Sequence, residues 1–162
     1  MYYAEVFEAL NREKVKYLVV GGVAVVLHSV MRLTADLDLM VDLKKENLLS
    51  FIKVLSSLGY MPKLPVEAID FADPLKRKTW IKEKNMKVFS FIHSQQAYKI
   101  IDVFADEPIS FADAYNRKQV VRAGELPIDV ISLADLIILK KLSAREQDLA
   151  DIKMLEALQD ND

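Results

Sequence analysis

The segment Arg32-Leu-Thr-Ala-Asp36-Leu-Asp38-Leu-Met-Val-Asp42 constrains the fold of this chain more than any other. Leu37, Leu39, Val41 and Leu43 alternate with Asp36, Asp38, Met40 and Asp42, which predicts a strand from about Leu37 to Leu43. A period of two sends one set toward a core and the other to the opposite face. Asp36 and Asp38 then point the same way, roughly 7 Å apart at two residues of strand rise. Like charges that close repel, so the pair is either bathed in solvent or bridged by a cation. Asp42 shares their face but lies roughly 13 Å beyond Asp38, too far for a shared ligand set, and is assigned to solvent.

The elements around this strand alternate between helix and strand. Residues 2–13 predict a first helix with Tyr3, Val6, Phe7 and Leu10 on one face, and Tyr17–Val20 a short buried strand. Gly21-Gly22 ends it, a helix follows from Val23 to about Met31, and Arg32–Ala35 is a connection. Lys44–Leu58 carries Leu48, Phe51, Ile52, Leu55 and Leu58 at helical spacing, with Gly59 as its C-terminal cap. Residues 60–80 are ambiguous, since Pro62, Pro65 and Pro74 break any long element. Met86–His93 and Tyr98–Phe104 read as a hairpin, Phe111–Arg117 as a short helix, and 119–131 as a second hairpin around Ala123-Gly124-Glu125. Two helices close the chain behind Ser132-x-x-Asp135 and Ser143-x-x-Glu146, both read as capping boxes. No internal repeat or linker interrupts the pattern. The expected fold class is α+β (mixed α/β): a single domain over 1–162, a mixed sheet packed with helices, and a C-terminal helical pair.

Composition narrows the function classes. With 52% hydrophobic and 28% charged residues over 162 positions, the chain can bury a core and remain soluble. It has no cysteine, which excludes disulfides, thiolate metal sites and thiol nucleophiles. No apolar run spans a bilayer and no signal peptide opens the chain, so no membrane partner is expected and the cytoplasm is the default compartment. A net charge of -2 does not mark a nucleic-acid binder. Only Lys76–Lys87, with six basic residues, one acid and Trp80, could be a local nucleic-acid patch or else a solvated hairpin rim. His28 and His93 are read as structural, having no acid or nucleophile placed beside them.

Three constellations can carry chemistry. Gly21-Gly22, between a strand and a helix start, lets backbone N–H groups approach an anion, although a tight turn is the alternative. No Walker motif and no G-x-G-x-x-G is present. Asp36 and Asp38 suit a hard cation such as Mg²⁺, which takes carboxylate oxygens and leaves places for substrate phosphates. Asp102, an acid among Ile101, Val103 and Phe104, is the expected third carboxylate from a neighbouring strand; its alternative is a strand-end contact to loop backbone. Late in the chain, Lys140 sits among Leu136, Ile137, Leu139 and Leu142, where it either snorkels to water or reaches an anion. Arg145, Asp148 and Asp151 follow at intervals of three, which on residues alone reads as a surface ladder of salt bridges.

Together, Tyr17-Leu-Val-Val-Gly-Gly-Val-Ala24 and Arg32-x-Thr34-x-Asp36-Leu-Asp38-Leu resemble the signature of the nucleotidyltransferase superfamily, of the DNA polymerase beta-like (MNT) fold. The nearest branch is the abortive-infection (AbiEii-like) group of small stand-alone domains, in which a GG-x-A turn precedes R-x-T-x-D-L/I-D. Its terminal D-L-I-x-x-K-x-x-x-x-R-x-x-D-x-x-D segment is similar to Asp135, Lys140, Arg145, Asp148 and Asp151. The likeness spans about 17–43 and 130–158; residues 60–97 match no named pattern. The resemblance implies that Asp36, Asp38 and Asp102 are catalytic and bind Mg²⁺, in a two-metal arrangement. It implies that Gly21, Gly22, Arg32, Thr34 and Lys140 contact the NTP, with Arg145 and Asp148 supporting from the last helix. Many members carry Gly-Ser at the turn, where a hydroxyl can touch phosphate; here Gly22 offers backbone alone.

The leading expectation is a Mg²⁺-dependent transferase that moves an NMP from an NTP to a hydroxyl of an RNA end, a protein or a small molecule, releasing pyrophosphate. The alternative is a weakly active or inactive nucleotide-binding partner of a toxin–antitoxin pair. A sugar-nucleotide transferase also uses D-x-D, but needs a larger nucleotide-binding sheet than this chain provides. Oligomeric state is not legible from these residues.

Overall fold

A computed structural model describes residues 3–161. Helix α1 (Ala4–Arg12) leads into β1 (Tyr17–Val20), α2 (Gly21–Leu27), β2 (Leu37–Val41) and α3 (Lys45–Ser57). Then come β3 (Tyr60–Pro62), a short 3-10 helix (Ala68–Ala72), α4 (Pro74–Lys84), β4 (Val88–His93) and β5 (Ile100–Phe104). The chain closes with α5 (Phe111–Asn116), β6 (Gln119–Ala123), β7 (Leu126–Val130), α6 (Leu133–Ser143) and α7 (Glu146–Asp160). The strands form one mixed sheet in the order β3-β4-β5-β2-β1-β7-β6. The β2–β5 and β1–β7 pairs are parallel and the others antiparallel. The mixed α/β class and the C-terminal helical pair are as expected; position 2, the anticipated start of α1, lies outside the described residues. No helix among the described residues is long and apolar enough to cross a membrane.

Side-chain parity assigns each sheet face. Tyr17, Val19, Leu37, Leu39, Ile101, Val103, Phe89 and Phe91 project to one face and are almost wholly buried. Phe7 of α1 meets the Tyr17 ring at 5.9 Å, Phe51 of α3 meets Phe91 at 5.9 Å, and Phe71 and Trp80 stack on Phe89 at 4.7 and 5.4 Å. Burial of these rings drives the packing, and each aromatic pair adds about 0.5–1.5 kcal/mol beyond the area it hides. The second face carries Leu18, Val20, Met40, Asp38, Asp102 and Ser90. There α2 packs on β1 and β2, with α6 packed against α2 in turn, and Met40, alternate to the apolar set, is 1% exposed. Farther along, Val88, Ser90, Ile92, Ile100, Asp102 and Phe104 are only part-buried on this second face. The acids of β2 and β5 therefore lie where the helical cover ends.

Several boundaries differ from expectation for local reasons. Helix α2 begins at Gly21 itself and stops at Leu27 rather than Met31. Ser29 turns left-handed at φ 75° and Val30 N–H bonds back to Val25 O, closing the helix. Strand β2 ends at Val41 because Asp42 accepts the Lys44 N–H and its carbonyl accepts from Asn47, turning the chain into α3. Pro74 starts α4 instead of breaking it. Asp73 caps the helix by accepting from Leu75 N at 2.9 Å, and proline fits the first turn, where no N–H is needed. The basic segment Lys76–Lys87 is thus mainly helix, not a hairpin rim. Its Arg77 is buried on Phe71 O at 2.6 Å and Trp80 lies inward on Phe89, so no exposed aromatic is left for base stacking. Ser132 caps α6 as expected. Ser143 does not cap α7: Ala144 at φ 48° ends α6, Arg145 is the cap residue, and Asp148 rather than Glu146 accepts the Arg145 N–H.

Candidate active site

Strand register brings the acids together. Val20 stands opposite Asp38, Asp38 opposite Asp102, and Asp102 opposite Ser90, so the four form one row across β1, β2, β5 and β4. Parallel neighbours about 4.8 Å apart place the Asp38 and Asp102 carboxylates side by side. Asp36 precedes β2 by one residue and joins them on the wall of a cavity of about 360 Å³. Ser90 Oγ donates to Asp102 Oδ1 at 2.5 Å. Tyr3 Oη bonds Ala35 O at 2.7 Å and Ile100 O at 3.2 Å, pinning together the beginnings of the two acid-bearing strands.

The charge balance of this wall is poor on its own. Burial, then the charges of Asp102 and Asp36, push the Asp38 carboxyl up to about 7, against the pull of Lys140 and Arg145. Asp36 is pushed up by burial and Asp102, against Lys63. Carboxylates crowded on one wall, with Asp36 and Asp38 both pushed toward their protonated forms, are a donor set suited to a hard cation, which would replace the proton. Among the described residues, no three such side chains are gathered closely enough to hold a metal ion by themselves. The remaining ligands of any cation here must come from water or substrate, the habit of Mg²⁺ at phosphate sites.

Opposite the acids lies the glycine turn. Gly21 is left-handed at φ 64°, and a Cβ there would run into the Asp38 carboxylate. A Cβ on Gly22 would lie 2.5 Å from Thr34 Oγ1 and 2.6 Å from Arg32 Nη1. The connection before β2 therefore folds back over the turn. The hydroxyl that position 22 lacks is supplied in the same space by Thr34.

A buried charge network backs the cavity. Lys140 Nζ lies 3.1 Å from Asp148 Oδ1 and 3.0 Å from Asp151 Oδ2, and all three residues are buried. Arg32 Nη1 lies 3.2 Å from Asp151 Oδ2 as an ion pair without hydrogen-bond alignment. Asp148 Oδ2 accepts from Ser143 Oγ at 2.6 Å, Arg145 N at 3.0 Å and Arg145 Nε at 3.1 Å. Burial alone would raise the Asp148 carboxyl, but these donors and Lys140 hold it well below the usual carboxylate range. The anticipated surface ladder is thus an interior brace. Three cations against two carboxylates leave one positive charge in excess, directed at the cavity.

Gly21, Gly22, Arg32, Thr34, Asp36, Asp38, Asp102, Lys140 and Arg145 all line the one cavity. Asp148 does not line it and stands behind Lys140 and Arg145. Ser90 and Tyr3 were not singled out by sequence. A four-residue loop at Ser94–Ala97 would have set Ser90 opposite Ile101; the connection is longer, His93 N–H bonds to Lys99 O, and the register moves by one to put Ser90 opposite Asp102, whereas nothing local marks the Tyr3 hydroxyl. His28 Nε2 meets Ile131 O at 2.8 Å, and His93 Nδ1 accepts from Gln95 and Gln96 N–H, both structural contacts as anticipated. A larger hollow of about 450 Å³, bounded by Met61, Leu64, Val66 and Asp70, shares no lining residue with the acids and holds no such constellation.

Residues 3–161 match the family model described as "Nucleotidyltransferase of unknown function (DUF6036)". No curated protein matches the sequence. Among solved structures, a lincomycin-bound lincosamide antibiotic adenylyltransferase, LnuA, superposes with a TM-score of 0.61 at 18% identity, over 93% of this chain and 92% of that one. ANT(2")-Ia in complex with adenylyl-2"-tobramycin superposes with a TM-score of 0.61 at 13% identity, over 95% of this chain and 85% of that one. At such identities the likeness is one of fold.

Proposed function

The chain belongs to the nucleotidyltransferase family DUF6036, and from that premise we propose that it transfers a nucleoside monophosphate from an NTP to a hydroxyl acceptor, releasing pyrophosphate. The observation that carries this reading is the meeting of Asp36, Asp38 and Asp102 on one cavity wall, opposite Gly21-Gly22 and beside Arg32, Lys140 and Arg145. Asp36, Asp38 and Asp102 are the residues that would hold Mg²⁺, which when bound supplies charge neutralisation and alignment of the attacking and leaving oxygens.

The chain's own residues account for the rest. Gly21 and Gly22 keep the turn bare, so phosphate oxygens can approach its backbone. Thr34 offers its hydroxyl, and Arg32, Lys140 and Arg145 balance the triphosphate charge from a brace that needs no reorganisation. The acceptor oxygen bonds to the α-phosphorus, the bond from that phosphorus to the pyrophosphate oxygen breaks, and the hydroxyl proton passes to Asp102 Oδ2. Ser90 occupies Asp102 Oδ1 and fixes the carboxylate's orientation. Phosphoryl chemistry of this kind rests on positioning and electrostatics, which such a wall provides. Of the structural neighbours, one is a lincosamide antibiotic adenylyltransferase and the other holds adenylyl-2"-tobramycin, so ATP is the first donor to test and a small hydroxylated molecule the first acceptor.

Pyrophosphate release from ATP with Mg²⁺ and an acceptor panel tests the proposal. Asp36→Ala/Asp38→Ala should lower the rate by more than about a hundredfold. Equal rates in wild type and double variant would overturn the assignment of these acids. Tight ATP binding with no release on any acceptor would favour a non-catalytic partner of a toxin–antitoxin pair.

A further inference from the structure

Beyond Asp102 the cross-strand row continues onto an open surface. Pro62 pairs with Phe91 in the antiparallel β3–β4 ladder, and the next backbone bond runs from Lys63 N to Ser90 O at 2.9 Å. Lys63 thus stands opposite Ser90, Ser90 opposite Asp102, and Asp102 opposite Asp38. Directly paired residues on neighbouring strands project to the same side, so Lys63 faces the side that carries the acids. It is exposed and takes part in none of the ion pairs among the described residues. It does not line the cavity shared by Arg32, Lys140 and Arg145.

Cations therefore flank the acids on both sides. Those on the glycine side are braced by Asp148 and Asp151 and face the place where an NTP would lie. Lys63, on the other side, borders the β3–β4–β5 part of the sheet, whose second-face residues are only part-buried. We propose that the β3–β4–β5 face beside Asp102 is the acceptor subsite, and that Lys63 selects a hydroxyl compound carrying a phosphate or carboxylate rather than a polycation. This rests on the transferase reading above. Two strand spacings put the Lys63 backbone about 10 Å from that of Asp102, a span that an extended lysine side chain is long enough to cover in large part. The anionic group consequently lies roughly one sugar ring from the reacting hydroxyl. Part-buried Ile92 and Ile100 give the acceptor skeleton an apolar floor.

The test is calorimetry on protein loaded with Mg²⁺ and a non-hydrolysable ATP analogue, using ribose 5-phosphate, a short single-stranded RNA with a free 3′-hydroxyl, and tobramycin as probes. Wild type should bind at least one phosphate-bearing probe and bind tobramycin weakly; the tighter of the sugar phosphate and the RNA identifies the source of the phosphate. Lys63→Gln should weaken the phosphate probes about tenfold, and Lys63→Glu should weaken them further while improving tobramycin. The analogue's own affinity should stay within about twofold, since Lys63 is outside its cavity. The proposal is overturned if neither phosphate probe binds wild type, if tobramycin binds it as tightly, or if Lys63→Glu leaves the phosphate probes unchanged. A parallel fall in analogue affinity would instead make Lys63 a triphosphate contact and equally overturn it. Failure of the transferase reading shows separately, as absence of analogue binding before any probe is added; the same titrations on unloaded protein still report on Lys63.

Discussion

At the scale of residues, the proton on Asp38 is the most sensitive reporter of the site. The folded protein holds it up to about 7, whereas an unperturbed aspartate releases it near 3.8. Between those values folding takes up a proton, so this group's contribution to stability falls as pH rises and is gone above the window. Asp38→Asn and wild type should therefore melt alike near pH 4. The variant should become progressively more stable toward pH 7 and remain so above it, and added Mg²⁺ should narrow the gap by stabilising wild type alone. Thermal melts across this range check the sign. The neighbouring glycines make a second contrast. Gly21→Ala forces a left-handed Cβ into the Asp38 carboxylate and should cost at least about 1–2 kcal/mol. Gly22→Ala, in ordinary helical backbone, meets Thr34 Oγ1, Arg32 Nη1 and, at 3.1 Å, Thr34 Cβ, so its cost of about 1–2 kcal/mol should come from displacing these side chains rather than from backbone strain. ATP affinity should nonetheless fall about tenfold as those two side chains are displaced. Paired denaturation and binding curves separate the two effects.

At the scale of elements, α6 and α7 are joined through Asp148 as well as through their buried apolar residues. Removing it leaves Lys140 with only Asp151 and frees Arg145, Ser143 and the start of α7. Asp148→Ala should cost about 3 kcal/mol, the low end for a broken buried pair because Arg145 is largely open to water. Its pH signature runs opposite to that of Asp38. A carboxyl held low contributes stability at neutral pH that is lost on acidification below the ordinary aspartate range. Denaturant titration of Asp148→Ala at pH 7 and near pH 2 should find the deficit larger at the first than at the second. The same scale explains why α4 escaped the sequence reading. The buried stripe of Pro74–Lys84 includes Arg77, a charged residue satisfied by the Phe71 carbonyl, so the hydrophobic period is diluted where the helix packs. Pro74 reads as a breaker until Asp73 is seen as its cap.

At the scale of the whole molecule, nucleotide binding should be visible as stability, because the cavity unites α2, the connection before β2, β2, β5, α6 and the Arg145 cap of α7. Mg²⁺-ATP at about a hundred times its Kd should add about 2.7 kcal/mol, which for a chain this size is about 5–10 °C in Tm. Asp36→Ala/Asp38→Ala should show no shift; an undiminished shift would place the nucleotide elsewhere.

Much of this was written locally. Strand β2 follows from a period of two, α3 from apolar residues at helical spacing, and both hairpins from short turn segments. The clustering of Gly21, Gly22, Asp36, Asp38 and Lys140 at one site followed from their resemblance to a known motif. What only the tertiary structure decided are relations between distant segments: Ser90 on Asp102, Thr34 over Gly22, Arg32 on Asp151, the Tyr3 hydroxyl between two strand starts, and Lys63 at the end of the acid row. The division has a physical cause. Periodicity and capping are settled by interactions within a few residues. Cross-strand register and the closure of a loop over a turn are settled by burial and charge pairing between parts of the chain that meet only once the core has formed.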